Sequence, residues 1–262
     1  MIGHNHIGRN GRFGNQMFQY AATRGIAAKH GYEWCIPPGP KDDYGFDDEE
    51  NQHKLFMAFK LSGLKSTQVF PATYRKESTF EFDTDLFENC EDNINLYGFF
   101  QTEKYFKHIE DEIRKDFTFV DDILKPCKEA FGSQELIGLH IRRTDYVQKQ
   151  DYHPLCTQEY YKEALSRMPE DTTVVIVSDD PDWCAKQELF APDRFMISES
   201  GDNIIDMCIL SLCKYHIIAN STFSWWGAWL ANSEKVIAPK SWFGTESDVT
   251  DVDLVPDHWE RL

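Results

Sequence analysis

The chain has 262 residues, 41% of them hydrophobic and 14% aromatic, enough apolar surface for one large core or two of ordinary domain size. Its 27 lysines and arginines face 44 aspartates and glutamates, a formal charge of -17 that repels nucleic acid and anionic lipid at long range and argues against both as partners. The most apolar later stretch, residues 207–230, is interrupted by Lys214, His216, Asn220 and Ser221, so no membrane span is expected.

Residues 1–6 lack a basic region followed by an apolar one, so no secretory signal is expected. The seven cysteines are odd in number and include no Cys-x-x-Cys pair, which fits neither a disulfide framework nor a zinc site. A soluble, cytoplasmic protein in a reducing compartment is expected.

In chain order, residues 2–7 are short for a strand and carry His4 and His6, which lack the further ligands a metal needs. Gly8-Arg9-Asn10-Gly11-Arg12-Phe13-Gly14-Asn15 is a glycine-spaced loop running into a helix predicted over 14–30, whose apolar face holds Met17, Phe18, Ala21, Ala22, Ile26 and Ala27. A helix entered this way presents N–H groups and a positive dipole end to an anion. Residues 32–36 and 97–100 read as strands, 39–51 as an exposed acidic loop and 102–115 as a helix. Residues 126–134 read as a linker, dividing the chain into domains 1–132 and 133–262.

The second half alternates apolar strand runs (136–141, 173–177, 194–197, 216–219, 235–238) with helical periods (157–168, 182–190, 203–213, 222–231). Continuous apolar runs such as Val174-Val175-Ile176-Val177 belong to a parallel sheet covered on both faces, so this half reads as a doubly wound α/β domain. Ligands of such sheets gather outside the carboxyl ends of the strands. Three segments fall there: His140-Ile141-Arg142-Arg143-Thr144-Asp145, Ser178-Asp179-Asp180 and Asn220-Ser221-Thr222.

Two adjacent arginines after an apolar strand suit a diphosphate, because each guanidinium stays charged and offers a rigid fork of donors to phosphate oxygens. In so acidic a body the pair is expected to form a local positive pocket, with one arginine clamping phosphate and its neighbour anchoring the loop. Alternation along the strand places His140 and Arg142 on one face. Ser221 or Thr222 can cap the following helix, and Trp225, Trp226 and Trp229 at helical spacing read as packing rather than a sugar platform.

Taken together, these segments resemble the alpha-1,2-fucosyltransferases, glycosyltransferase family eleven. Gly11-Arg12-Phe13-Gly14-Asn15-Gln16-Met17-Phe18-Gln19-Tyr20-Ala21 is similar to the family's opening signature, and the segment from His140 to Asp145 to its His-x-Arg-Arg-x-Asp motif. The strings from Ser178, from Asn220 to Leu230 and from Val236 to Lys240 continue the likeness across nearly the whole chain. The resemblance implies a GT-B fold of two facing Rossmann-like domains with a cleft between them, GDP-L-fucose as donor, no cofactor or metal, and inversion to an alpha-1,2 link on a galactose-containing acceptor. It implies catalytic roles for Arg142, Arg143, Asp145 and Asn15, and donor contacts from His140, Arg142, Asp179, Asn220, Ser221, Thr222 and Gly14. Acceptor contacts are expected in the N-terminal loops, including residues 41–53. The strings Asp83-Thr84-Asp85, Asp180-Pro181-Asp182 and Asp251-Val252-Asp253 resemble a metal motif of another glycosyltransferase fold and are discounted as chance in an acidic chain.

The base that takes the acceptor proton is not identifiable from the sequence: Asp145 fits that role and equally fits orienting an arginine. The glycine-loop motif also resembles that of protein O-fucosyltransferases. A nucleotide-sugar-binding protein that no longer transfers would keep the same arginines.

Overall fold

The computed structural model describes residues 1–36, 54–61, 73–132 and 134–262, so the loop expected over 39–51 and the acceptor contacts expected over 41–53 lie outside the described residues. The chain divides into an N-terminal unit, Met1–Val120 with Val252–Pro256, and a C-terminal unit, Asp121–Asp251 with Asp257–Leu262. The division falls at Val120 rather than at the expected 132/133. The segment read as a linker is instead mostly helix: α5, Asp121–Phe131, in which Pro126 removes one backbone donor without ending the helix. Asp121 and Asp122 start α5 at its positive end, and Cys127 is its buried anchor.

Among the described residues the N-terminal unit holds a four-stranded parallel sheet in the order β2-β1-β4-β3, with β1 Ile2–Gly3, β2 Trp34–Cys35, β3 Tyr74–Lys76 and β4 Ile94–Tyr97. Short as β1 is, it lies inside the sheet, paired on both sides and buried. The helices are α1 Phe13–His30, α2 Leu55–Ala58, α3 Thr84–Asn89 and α4 Glu110–Asp116. Helix α1 ends at Gly31, whose left-handed backbone (φ 68°) returns its N–H to the carbonyls of Ala27 and Ala28. It is tied to α4 by buried Asp116, which takes the Tyr20 hydroxyl at 2.7 Å and pairs with Arg24.

Two expectations shift here. The strand expected at 97–100 ends at Tyr97, because Gly98 and the left-handed Phe100 (φ 54°) turn the chain away from the sheet. The helix expected at 102–115 breaks into two 3-10 turns, Glu103–Tyr105 and Lys107–Ile109, before α4 begins.

The C-terminal unit is a six-stranded, all-parallel sheet, β10-β9-β8-β5-β6-β7. Its strands are β5 Leu136–Ile141, β6 Thr173–Ser178, β7 Phe195–Ile197, β8 Tyr215–Ile217, β9 Lys235–Ala238 and β10 Glu260–Arg261. The helices between them are α6 Gln158–Ser166, α7 Pro181–Cys184, α8 Asn203–Ser211 and α9 Thr222–Ala231. The chain starts at β5, builds outward through β6 and β7, then returns to β5's other side with β8. Between β5 and β8 the winding reverses, and loops leave their carboxyl ends in opposite directions, opening a crevice for ligand.

Helices α8 and α9 pack closely on this sheet. Gly227 allows the approach, since a Cβ there would stand 2.7 Å from Cβ of Leu210. The Gly227→Val protein is expected to lose about 1–3 kcal/mol through overpacking, read as a lower urea midpoint; an unchanged midpoint would show that α8 has room to move. Trp225, Trp226 and Trp229 are buried against one another, with Trp225 also against Trp259, and so form core rather than a sugar platform.

Candidate active site

At the carboxyl end of β5 the chain passes from Ile141 into Arg142 and Arg143, and the neighbouring end of β6 supplies the group that orders them. Asp179 accepts the backbone N–H of Arg143 at 2.8 Å and of Thr144 at 3.2 Å, and pairs with Nη1 of Arg142 at 3.0 Å. Nη2 of Arg142 pairs with Asp145. The guanidinium lies 5.3 Å from the ring centre of Tyr146, whose hydroxyl donates to the Asn220 carbonyl at 3.0 Å. Arg142 is thereby fixed from three sides, its side chain only 15% exposed.

Arg143 is committed elsewhere. Its Nε donates to Asp180 at 3.2 Å, and its guanidinium stacks 3.9 Å over Trp183. Asp180 in turn caps α7 by accepting the Trp183 N–H. Arg143 thus ties the loop to α7, while Arg142 is held by Asp145, Asp179 and Tyr146, a division that adjacency in sequence leaves open.

The electrostatics differ from expectation. Two guanidiniums meet three carboxylates (Asp145, Asp179 and Asp180), so this group carries one net negative charge instead of forming a positive pocket. Of the two carboxylates on Arg142, Asp145 is the more exposed, 36% against 19% for Asp179.

His140 lies on β5, buried, its ring 5.3 Å from that of Phe223 at the start of α9. Burial, reinforced by the Arg142 charge, holds its pKa down to about 3, so the imidazole is neutral. Its Nδ1 is buried without a protein partner. A buried nitrogen left in that state is costly unless a ligand satisfies it.

The loop after β8 provides the third segment. Ser221 caps α9, accepting the Phe223 N–H at 3.3 Å, and Thr222 is the first residue of the helix. Asn220, expected as a donor contact, braces the surrounding loops. Its side-chain amide donates to the carbonyls of Pro154 and Trp242, both at 3.0 Å, and its oxygen faces the Cys156 thiol. Asp179, also expected as a donor contact, has both oxygens engaged in ordering the arginine loop.

The C-terminal unit thus gathers His140, Arg142, Arg143, Asp145, Asp179, Asn220, Ser221 and Thr222 at one end of its sheet. Gly14 and Asn15 belong to the N-terminal unit, in the first turn of α1. The N-cap position of this helix is Arg12, whose side chain makes no capping hydrogen bond, and Asn15 is the third residue of the helix. Oδ1 of Asn15 accepts from Gln101 at 3.0 Å, and its side chain lies against Gly11, whose left-handed backbone (φ 94°) and missing Cβ make that space.

Tyr146, Trp183, Phe223 and Gln101 were not among the residues expected from sequence. Tyr146 and Trp183 carried a usable signal, being aromatic residues within one turn of the charged motifs. Among the described residues no three His, Cys, Asp or Glu side chains converge as metal ligands would. The Asp-x-Asp strings have local explanations: Asp83 caps α3, Asp180 caps α7, Asp251 pairs with Arg261, and Asp253 pairs with Lys104.

The sequence model of glycosyl transferase family 11 matches residues 1–259. The chain belongs to glycosyltransferase family 11. An alpha-1,2-colitosyltransferase of Escherichia coli is 30% identical, the alignment covering 96% of each chain. Galactoside alpha-(1,2)-fucosyltransferase 1 of Homo sapiens is 24% identical over 87% of this chain and 65% of its own. Among solved structures, fucosyltransferase NodZ from Bradyrhizobium superposes with a TM-score of 0.59 at 14% identity, over 90% of this chain and 94% of NodZ. The fold of this family 11 member is accordingly of the GT-B type, each unit Rossmann-like. No described helix is long and apolar enough to cross a membrane.

Proposed function

We propose that this family 11 glycosyltransferase is an inverting galactoside alpha-1,2-fucosyltransferase. It moves L-fucose from GDP-L-fucose to the 2-hydroxyl of a galactose-containing glycan, in surface polysaccharide or glycan synthesis, without metal or cofactor. The observation that carries the reading is Arg142, held by Asp179 and Tyr146 at the carboxyl end of β5, where the sheet reverses its winding. Seven free thiols fit work in the cytoplasm.

As the fucosyl–phosphate bond breaks, positive charge spreads over the sugar and negative charge collects on the β-phosphate. Arg142 meets that charge, and its carboxylate and aromatic supports remove the cost of orienting it during reaction. The N–H groups at the start of α9 offer a second contact for phosphate. His140, neutral and with a buried nitrogen to satisfy, contacts guanine or ribose. Asn15 is an amide and takes no proton; its role is a hydrogen bond near the glycosidic oxygen.

Asn15 depends on Gly11, which yields a specific expectation. Gly11→Ala forces a side chain into a left-handed position and onto Asn15. Transfer is expected to fall about a hundredfold, as for other small misplacements of reacting groups, with GDP binding held within a few-fold. Equal loss of GDP binding would point to a general disruption instead.

The colitosyl relative favours one second reading, in which the same site takes a nucleotide-linked colitose. Incubating the protein with GDP-fucose or the colitosyl donor, each with lactose and with folded peptide acceptors, distinguishes these readings by product mass and anomeric coupling. Competition by GDP against UDP and CMP tests the nucleotide. GDP-fucose that binds but is neither transferred nor hydrolysed would replace the enzyme reading with that of a sensor.

A further inference from the structure

Beside strands β3 and β4 of the N-terminal sheet three aromatic rings stand together. The His6 ring, on the loop leaving β1, is 5.5 Å from that of Tyr74 on β3 and 5.2 Å from that of Tyr97 at the end of β4. Tyr74, on the edge strand β3, is 49% exposed. His6 and Tyr97 are half-buried. The pairing of β3 with β4 places Tyr74 opposite Asn95 and Lys76 opposite Tyr97, so the two tyrosines share one face of the sheet.

The same two loops carry the parts already tied to the reaction. The loop bearing His6 runs on to Gly11 and α1, where Asn15 sits. The turn after Tyr97 is built rigidly: His4 and Gln19 face the Gly98 carbonyl, and Glu77 accepts the N–H groups of Phe99 and Phe100. That turn ends in Gln101, which holds Asn15. The rings are therefore fixed to the framework that positions Asn15.

We propose that His6, Tyr74 and Tyr97 form the platform on which the acceptor's galactopyranose rests. The class of ligand follows from the chemistry of the surface. Aromatic faces with polar tips bind molecules that are apolar on one side and hydroxylated at the rim. Galactopyranose has such a side, because its axial 4-hydroxyl leaves the C3, C4 and C5 hydrogens contiguous on the opposite face. Burial and the nearby Arg9 charge hold the His6 pKa below its usual value, so a neutral imidazole, one donor and one acceptor, meets the hydroxyl rim. The assignment rests on the galactoside reading above and deepens it.

The test is saturation-transfer NMR of methyl β-galactopyranoside with the full chain in the presence of GDP, which needs no turnover. Transfer to H3, H4 and H5 is expected with the wild type and with Tyr74→Phe, and is expected to vanish with Tyr74→Ala. With GDP-fucose, the acceptor KM of Tyr74→Ala is expected to rise at least tenfold at nearly unchanged kcat, with acceptor-independent hydrolysis of the donor unaffected. Tyr74 is exposed, so its truncation leaves the fold intact, which thermal melting verifies. Equal saturation transfer in wild type and Tyr74→Ala overturns the platform. A wild type that handles no GDP-fucose overturns the proposed activity instead, and the NMR arm still decides the platform.

Discussion

The Arg142→Ala protein is expected to fold normally and, given the proposed activity, to transfer fucose at about one-hundredth of the wild-type rate or less. Losing one preorganised donor to a developing oxyanion costs a few kcal/mol of transition-state stabilisation, a factor of a hundred to a thousand. The fold survives because Asp145 and Asp179, the carboxylates left without their cation, both reach solvent and Asp179 keeps its backbone N–H donors. Arg142→Lys recovers only part of the rate, since a point charge cannot bridge two oxygens in one plane. Arg143→Ala behaves differently, losing the stack on Trp183 and the Asp180 bond, so melting temperature and donor KM shift together. Initial rates of GDP release, with circular dichroism on each variant, separate the two patterns. Turnover of Arg142→Ala within a few-fold of wild type would remove this residue from the chemistry.

The second large effect is on stability in mild acid. His4, His140 and His216 are fully buried, and burial holds their pKa values down to about 4, 3 and 4 against an ordinary 6.5. His216 shows why the neutral form is needed. Its Nε2 faces the Leu210 carbonyl at 2.9 Å and so carries the proton, leaving Nδ1 to accept from the Ser233 hydroxyl at 2.6 Å. Because the folded pKa values are depressed, the unfolded chain binds more protons below pH 6.5, and stability present above that pH is lost as it falls. Glu77 opposes the trend: burial raises its pKa to about 7, so it favours the folded state more in acid than at neutrality. Near pH 5.5 these three histidines outweigh Glu77 and Asp206, whose carboxyl pKa burial also raises, and stability falls on the order of 2 kcal/mol per pH unit. Against the usual domain stability of roughly 5–15 kcal/mol, a drop from pH 7 to pH 5 is a large fraction. Urea midpoints at pH 7.5, 6.5 and 5.5 measure this slope, and His216→Gln lowers it by about 1 kcal/mol per unit whatever it does to absolute stability. A flat profile would mean that the buried rings find proton partners in the fold.

Much of the C-terminal sheet is legible in the residue pattern. The spans read for β5, α9 and β9 are those observed, because each is a sustained apolar run closed by polar or capping residues. The elements that escape have no such pattern. Strand β10 is Glu260–Arg261 and β3 is Tyr-Arg-Lys, ladder positions supplied by a neighbour's backbone rather than by side-chain preference. The helix expected at 182–190 shrinks to the four residues of α7, followed by a 3-10 turn at Glu188–Phe190. The site divides in the same way. Arg142, His140 and Ser221 stand out because charge and capping chemistry mark them locally. The bracing role of Asn220 does not, since its partners Pro154 and Trp242 are remote in sequence.

The amino-acid order alone thus determined the family, the parallel α/β character and the presence of an arginine-bearing loop at a strand end, because each is written in short-range pattern. Tertiary structure decided which carboxylates and rings hold each arginine, that carboxylates outnumber them, and that the His6 ring meets those of Tyr74 and Tyr97. Those outcomes depend on contacts between segments brought together by strand pairing, and no local periodicity records which side chains will meet across a sheet.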